Sequence, residues 1–404
     1  MTGVPESPVL VVGAGPVGMT AALALRAQGL RAVVLEAEAP GRQRPGSRAI
    51  YIHGESLEHL EAIRPGLGWD VARDGLVWTT KRTYVGDSLV YERTYPPPDP
   101  TRLPHSTNLS QVDIEALLLD ACKEAGVEIV WEQAVTGSTS SDDGVVLQTP
   151  GGEWRASYVI GADGARSVLR ESAGIELVGP RIEDSFVIVD VAEDPSDPLL
   201  PQRVYYYDHP AVGGRNVLLV PFAGGIRADL QLRHGDDPER FNDDEGVRRW
   251  ISAVLPAKYA DRITWVSTYR FYQVVASALT DANRRILLAG EAAHLFAPFG
   301  ARGLNSGIPD ALVAARAIRR ALDDPGAARA AVDHFATSRR EAALYNRDAS
   351  SAALAHMQEN GWRVRLRRRW KAAVAKRGLA AGAWLDSSPF GPRAAEHKTE
   401  TGSY

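Results

Sequence analysis

The strongest constraint on the fold of this chain is a glycine turn wedged between an apolar run and a helix near its start. Val9 to Val12 is wholly apolar, and Gly13, Gly15 and Gly18 follow directly. A short run without polar alternation predicts a parallel strand buried on both faces. Pro16 stands where a helix can begin, because the first turn does not need its missing N–H. Met19 to Gln28 carries the helix and Gly29 can cap it. Arg31 to Leu35 reads as a second strand ending at Glu36. Strand, glycine turn, helix, strand and acid in this order specify a parallel α/β unit.

Each residue of the turn has a physical reason. Gly13 permits the tight bend, Gly15 lets the backbone approach a pyrophosphate, and Gly18 lets helix and strand pack closely. The helix N-terminus offers N–H groups and partial positive charge to phosphates. Glu36 can accept hydrogen bonds from both hydroxyls of an adenosine ribose and would repel a 2′-phosphate, so the cradle favours FAD or NAD over NADP. A ligand-free glycine turn is the plain alternative, and the full strand–helix–acid context argues against it.

The rest of the chain divides by texture. Helical spacing runs from Ser56 to Ile63. Ser110 and Asp113 form a capping box ahead of Ile114, Leu117, Leu118, Ala121 and Cys122. Val127 to Trp131, Val145 to Thr149 and Trp154 to Ile160 read as strands. Phe186 to Val191, Arg203 to Tyr207, Asn216 to Val220, Ile226 to Leu232 and Thr264 to Val275 predict antiparallel strands, with turns at Gly213-Gly214 and Gly224-Gly225. Arg285 to Ala289 returns to a buried strand, and Ile308 to Leu322 is a long helix. The expected fold class is α/β: a Rossmann-like domain (1–75, 100–178 and 279–325) with an inserted β-rich, mainly antiparallel domain (76–99 and 179–278) and C-terminal helices (326–404), frayed after Glu396.

Composition narrows the class. A net charge of −4 gives no global reason to expect nucleic acid. No apolar stretch reaches the roughly 20 residues that span a bilayer, and no secretory leader is expected. The single cysteine, Cys122, excludes an intrachain disulfide, fits a cytoplasmic protein and reads as a packing residue. No metal is expected. The basic run Arg363 to Lys371 could meet anionic lipid or nucleic acid; a wet helix face with Val364, Leu366 and Trp370 partly packed is the plainer reading.

Two further stretches repeat the strand–turn–helix theme. Tyr158 to Arg170 reads YVIGADGARSVLR, and Arg285 to Ala311 reads RILLAGEAAHLFAPFGARGLNSGIPDA, with a helix expected from about Leu304 to Ser306 and Pro309 in its first turn. With the first turn, these three motifs over residues 8 to 320 make the chain resemble the single-component FAD-dependent aromatic hydroxylases, the p-hydroxybenzoate hydroxylase-like monooxygenases. The resemblance implies that Gly13, Gly15, Pro16, Val17 and Gly18 hold the FAD pyrophosphate. Glu36, with Ala37 beside it, takes the ribose. Arg48, Gln111 and Val135 lie near the cofactor, and Asp163 and Gly164 form the second fingerprint. Glu291 replaces the family's usual aspartate at the ribityl chain, one methylene longer. Pro298, Gly303, Leu304 and Asn305 lie along the isoalloxazine ring. Arg302 stands where glutamine is common, and no thioredoxin-like extension is expected.

The resemblance also implies the reaction. NADPH or NADH reduces the flavin, O2 adds to give a C4a-hydroperoxide, and oxygen passes to a small aromatic or phenolic substrate. NAD(P)H would bind transiently, helped by Arg42, Arg44 and Arg48, and the enzyme would act as a monomer or homodimer without membrane insertion. His53, Tyr206, Arg227 and Tyr272 are candidate substrate-pocket residues, with Tyr205, Tyr207, Tyr269, Phe271 and His209 behind them; no catalytic base is named. His294 is expected to order backbone, and Asp310 to act as a helix-dipole partner. A flavin reductase or dehydrogenase that inserts no oxygen remains open, as does a non-catalytic nucleotide binder. A flavin halogenase would carry Trp-x-Trp-x-x-Pro, which Trp265-Val266-Ser267 does not match.

Overall fold

The computed structural model describes residues 6–42, 46–48, 50–233, 235–358, 366, 370, 373–374 and 379–387. The N-terminal unit contains β1 (Glu6–Val12), α1 (Pro16–Ala27), β2 (Val33–Leu35), β3 (Tyr51–His53), α2 (Gly54–Ile63) and α3 (Leu67–Asp74). A hairpin, β4 (Thr80–Val85) and β5 (Ser88–Thr94), leads to β6 (Ser106–Asn108), α4 (Gln111–Glu124), β7 (Glu128–Val130), β8 (Gly137–Ser141), β9 (Gly144–Thr149), β10 (Gly152–Gly161) and α5 (Val168–Ser172). Next come β11 (Leu177–Val178), β12 (Arg181–Ala192), β13 (Gln202–His209), β14 (Arg215–Phe222), β15 (Gly225–Gln231), α6 (Glu239–Asn242) and α7 (Asp244–Val254). The chain continues through β16 (Ile263–Tyr272), β17 (Val274–Ala276), β18 (Ile286–Leu288), β19 (His294–Leu295), α8 (Arg302–Asp323), α9 (Ala328–Gln358) and α10 (Leu379–Ser387).

The first sheet runs β7-β2-β1-β10, with β18 and β9-β8 both attached to β10. All pairs from β7 to β18 are parallel. Strand β10 is long enough to serve two neighbours on one edge: Gly152 to Ala156 meets β9 antiparallel, and Val159 to Gly161 meets β18. This makes the first sheet α/β, as the buried apolar runs predict. Helix α1 buries Met19 and Ala21 to Leu25 between the sheet and helices α4 and α8.

The second sheet is ordered β16-β12-β15-β14-β13-β4-β5, antiparallel except for the β13–β4 pair. Side chains alternate between its faces. Val187, Val189 and Val191 pack with Val247, Trp250 and Ile251 of α7. Phe186, Ile188, Tyr205 and Tyr207 face the other way, onto Phe299, Leu354, Met357 and Leu385. At 11 residues α7 is too short to persist alone. Its burial against the sheet, about 1.5–3 kcal/mol for each fully covered large apolar side chain, holds it in place.

Two elements differ from the sequence reading. The expected strand Thr264 to Val275 is two strands, because the chain leaves the second sheet at Gln273 and β17 pairs with β11 and β19. Helix α8 begins at Arg302, preceded by Ala301 in the left-handed region (φ 54°). Pro309 is therefore interior to the helix rather than in its first turn, and Asp310 lies beyond the reach of the helix N-terminus.

Candidate functional site

Parallel pairing brings the three motifs to one edge. Strands β1, β10 and β18 all end there, so Gly13, Ala162 and Gly290 are neighbours although far apart in sequence. The turns are tied directly: Ala162 N donates to Val12 O at 2.9 Å, Ala289 N to Gly161 O at 2.9 Å, and Gly13 N to Leu35 O at 2.8 Å. This is the carboxyl edge of an open parallel sheet, where ligands bind in such folds. Gly13 has φ +98°, and an added Cβ would lie 2.4 Å from Ala162 O. At Gly18 it would lie 1.8 Å from Gly13 O, so this glycine serves strand–helix packing.

A cavity of about 1990 Å³ runs along this edge and under the second sheet. Gly13, Gly15, Pro16, Val17, Glu36, Ala37, Arg48, Gln111, Val135, Asp163, Gly164, Glu291, Pro298, Gly303, Leu304 and Asn305 all line it. Gly18 supports the turn from behind. Helices α1 and α8 both start at the cavity wall, neither has a side-chain cap, and neither carries an acid in its first turn. Their first N–H groups are therefore left for an anionic ligand.

Glu36 stands at one end, buried. Its carboxylate accepts from Ala14 N at 2.6 Å and Glu38 N at 3.0 Å and pairs with Arg42 at 2.5 Å. Burial by itself would raise its pKa; Arg42 and the two N–H groups outweigh burial and hold the carboxyl below its ordinary value. Arg42 also donates to Ala14 O at 2.7 Å. It is thus tied to Glu36 and the turn at Ala14; Arg44 lies outside the described residues. Asp163 accepts from Leu169 N at 3.1 Å, while its Oδ1 is buried with no partner among the described residues. Burial pushes its carboxyl up, partly offset by Ser167. The cavity volume, the paired Glu36, the open helix ends and the unsatisfied Asp163 oxygen together fit an extended dinucleotide such as FAD.

At the middle of the cavity Asn305 works as a clamp. Its Nδ2 donates to Tyr51 O at 2.8 Å and Ala301 O at 2.7 Å; its Oδ1 accepts from His53 N at 2.9 Å and Ser56 Oγ at 2.7 Å. The side chain fixes the start of α8 to β3 and α2, leaving backbone N–H groups as the donors that face a ligand. The Arg48 loop is pinned from the second sheet. Ser47 donates through N (2.6 Å) and Oγ (2.7 Å) to Asp190, and Arg227 bonds Arg48 O while pairing with Asp229 at 2.8 Å. Arg48 itself has φ 46°. Burial raises the Asp190 carboxyl, with Ser47 opposing.

Behind the third motif, Asp310 is wholly buried. It pairs with His294 Nε2 at 2.7 Å and Arg339 Nε at 2.8 Å, and accepts from Gly290 N at 3.1 Å. This corrects the dipole-partner expectation: the residue is the hub of a buried ion network. His294, expected to order backbone, instead bonds the Asp310 carboxylate through its ring and stacks on Phe296 at 4.6 Å. Burial opposes ionisation of Asp310, and His294 and Arg339 overcome it, holding the carboxyl below its usual range. Glu291 sits exposed at the cavity wall in a 3₁₀ turn.

Of the substrate candidates, His53, Arg227, Tyr269 and Tyr272 line the cavity. Tyr206 does not. Strand alternation puts it on the α7 face, stacked on Tyr84 at 4.8 Å, and presents Arg203 to the cavity instead. Tyr207 is buried, donating to Leu385 O at 2.7 Å. Sequence reasoning missed Tyr51, Trp78, Lys81, Tyr91, Arg93, Tyr95, Trp265, His356 and Asp386, which complete the wall. The alternation in Thr80 to Thr94 around the Gly86 turn could have revealed the hairpin; nothing local marks Asp386. That residue pairs with Lys81 and, at 3.0 Å, with Arg203, and accepts from Thr83 Oγ1 at 2.9 Å. Burial of Cys122 pushes its thiol up to about 12. In the basic run, Leu366 and Trp370 are 60% and 66% exposed rather than packed; Val364, all of its arginines and Lys371 lie outside the described residues. Among the described residues no helix is long and apolar enough to cross a membrane.

Comparison with known proteins places this geometry. The family model described as "FAD binding domain" matches residues 6–349. A 3-(3-hydroxy-phenyl)propionate/3-hydroxycinnamic acid hydroxylase of Mycobacterium avium (strain 104) is 31% identical over 328 residues, 76% of this chain and 53% of that protein. The 6-methylpretetramide 4-monooxygenase of Streptomyces rimosus is 32% identical over 319 residues, 75% and 54% respectively. The chain spans about half the length of these curated relatives. Among solved structures, p-nitrophenol 4-monooxygenase PnpA from Pseudomonas putida DLL-E4 superposes with TM-score 0.77 at 24% identity, covering 97% of this chain and 100% of that one. A ternary complex of aklavinone-11 hydroxylase with FAD and aklavinone gives 0.72 at 26% identity, covering 90% and 72%.

Proposed function

The chain belongs to the FAD binding domain family, and from that membership we propose a flavin-dependent monooxygenase that hydroxylates an aromatic or phenolic small molecule using O2 and NAD(P)H. One observation carries the reading. Three distant segments, at Gly13 to Val17, Asp163-Gly164 and Glu291 to Asn305, meet in one cavity that continues under a second sheet with aromatic and cationic walls.

The residues present fit FAD along this path. The α1 N-terminus would hold the pyrophosphate, Glu36 the adenosine ribose, Asp163 and Glu291 the middle of the cofactor, and Pro298 with Gly303 to Asn305 the ring end. Bound FAD would supply the electron transfer and oxygen activation that no side chain can perform. The protein's own work is positional and electrostatic. Asn305 fixes the start of α8, so its N–H groups are preorganised for negative charge at the ring edge. Asp190 and Arg227 fix the Arg48 loop over the same region. His53 Nε2 lies 3.1 Å from Gly300 O and steadies that loop. Pro298, Leu304 and Trp265 exclude water from the reacting region. NAD(P)H is read as a transient visitor to the open part of the cavity. The discontinuous division into a nucleotide-binding part and a β-rich part is likewise proposed, supported by the separate apolar clusters on the two sheets.

The test is direct. Purified protein should bind FAD with a yellow spectrum and show phenol-stimulated NAD(P)H oxidation, with one oxygen atom from O2 in the product. Stimulated oxidation without an oxygenated product would overturn the monooxygenase reading in favour of a reductase.

A further inference from the structure

We infer that the stretch around Leu366 and Trp370 docks on an anionic lipid surface, lying in the plane of the headgroups without crossing the bilayer. The inference goes beyond the flavin reading and stands or falls apart from it.

An apolar stripe faces outward. Leu366, Trp370, Ala373 and Val374 are helical, and every one of them is exposed. Their positions, i, i+4, i+7 and i+8, place side chains on one face of a helix, in the pattern that normally turns toward a core. Single exposed apolar side chains are ordinary, but four in register form a patch that calls for a cover.

The same stretch concentrates charge. From Arg363 to Arg377 the sequence carries eight lysines and arginines and no acid, in a chain whose net charge is −4. A basic sequence with an apolar helical stripe is the composition that lies in a bilayer interface: the cations meet anionic headgroups and the stripe enters the acyl boundary. Tryptophan favours that depth, because its ring is apolar and its N–H polar. Other occupants suit the stretch less well. A second copy would bring two sets of eight cations within a Debye length of about 8–10 Å, where they repel. A nucleic acid would take the cations but offers Leu366 and Val374 no apolar medium. The apolar part is one face only, which fits contact with the surface rather than a crossing; no described helix is long and apolar enough for the latter.

In the chain this stretch falls between α9 and α10, and both helices contribute to the cavity wall, Ala352 and His356 from one, Ala383 and Asp386 from the other. Docking would therefore tether the enzyme through the segment that joins these two helices.

The experiment uses the whole FAD-loaded chain and co-sedimentation with two kinds of vesicle: phosphatidylcholine alone, and phosphatidylcholine with phosphatidylglycerol in equal parts. Binding to the anionic vesicles should be at least about ten-fold tighter, and should weaken at least about ten-fold when salt rises from about 0.1 M to about 0.5 M. The double variant Leu366→Ser, Trp370→Ser keeps every charge and changes only exposed side chains. It should keep its Tm and lose at least about ten-fold in affinity for the anionic vesicles. Equal binding to both vesicles, or a double variant that binds as the wild type does, would overturn the inference. So would a dimer in sedimentation that the double variant dissociates, which would assign the stripe to a second copy. Duplex DNA binding more tightly than the anionic vesicles would overturn it too, assigning the cations to a nucleic acid. Should the double variant fail to fold, the wild-type comparison of the two vesicles at the two salt concentrations decides alone. Flavin binding and oxygen insertion should be unchanged in the double variant, so failure here leaves the monooxygenase reading untouched, and failure of that reading leaves the docking surface standing.

Discussion

Gly13 shows how much one side chain can decide. Its φ of +98° is strained for any other residue, and a methyl group there would meet Ala162 O. Strain of this kind costs of order 1–3 kcal/mol, and relieving it moves the turn away from the phosphates. Gly13→Ala should therefore weaken FAD binding by at least about ten-fold, read by titrating apoprotein and following flavin fluorescence. Asp310 shows the other kind of dependence, on charge. Its folded pKa lies below the ordinary 3.8, so its contribution to stability is full above that value and is lost as pH falls through the folded pKa. Asp310→Asn leaves His294 and Arg339 without their shared anion; breaking a buried pair this way costs about 3–5 kcal/mol. Urea melts from neutral to acid pH should show the variant destabilised at pH 7 and the gap to wild type closing in acid. A constant gap would mean that Asp310 carries no charge-dependent stability.

Helix α10 is held to the β4–β5 hairpin by a polar contact as well as by Leu385, which is buried with Val85 and Val90. Asp386 lies 3% exposed among Lys81, Thr83 and Arg203. Burial opposes its ionisation, and Arg203 and Lys81 more than offset this, lowering its pKa. Asp386→Ala would remove the carboxylate that Lys81 and Arg203 share and should release the helix. Hydrogen exchange in Leu379–Ser387 should rise by at least about ten-fold, while exchange in β1 and β10 stays slow. Unchanged protection of the helix would contradict this. At this scale the sequence reads unevenly. The three glycine-edged motifs are visible because each is local: an apolar run, a turn residue and a helix start within a few positions. Strand alternation is equally local, and it accounts for Tyr206 facing α7 once the strand's inner face is known. The pairing of Asp386 with Lys81 joins positions 305 residues apart, and no short-range pattern encodes it. Pro309 misleads for a different reason: proline signals a helix start, but left-handed Ala301 starts α8 earlier.

Across the whole molecule, the proposed cofactor path touches residues from Gly13 to Asn305 and passes between the two sheets. Binding there stabilises the native state by mass action, about 2.7 kcal/mol at a hundred-fold excess over Kd. Removing FAD should lower Tm by several degrees. It should also expose the Arg48 and Pro298–Asn305 segments to limited proteolysis first, because the ligand would add a bridge to those that Asn305, His53, Asp190 and Arg227 provide. A Tm indifferent to FAD would rule out this bridging role.

The bare starts of α1 and α8 have a practical corollary for handling the protein. In the proposed reading the α1 start receives the nucleotide's phosphates and the α8 start the ring edge, so small dianions should compete for both ends. Apparent FAD affinity should be lower in phosphate or sulfate than in a chloride buffer of equal ionic strength. Protein purified in phosphate should therefore retain less added flavin than protein purified in chloride.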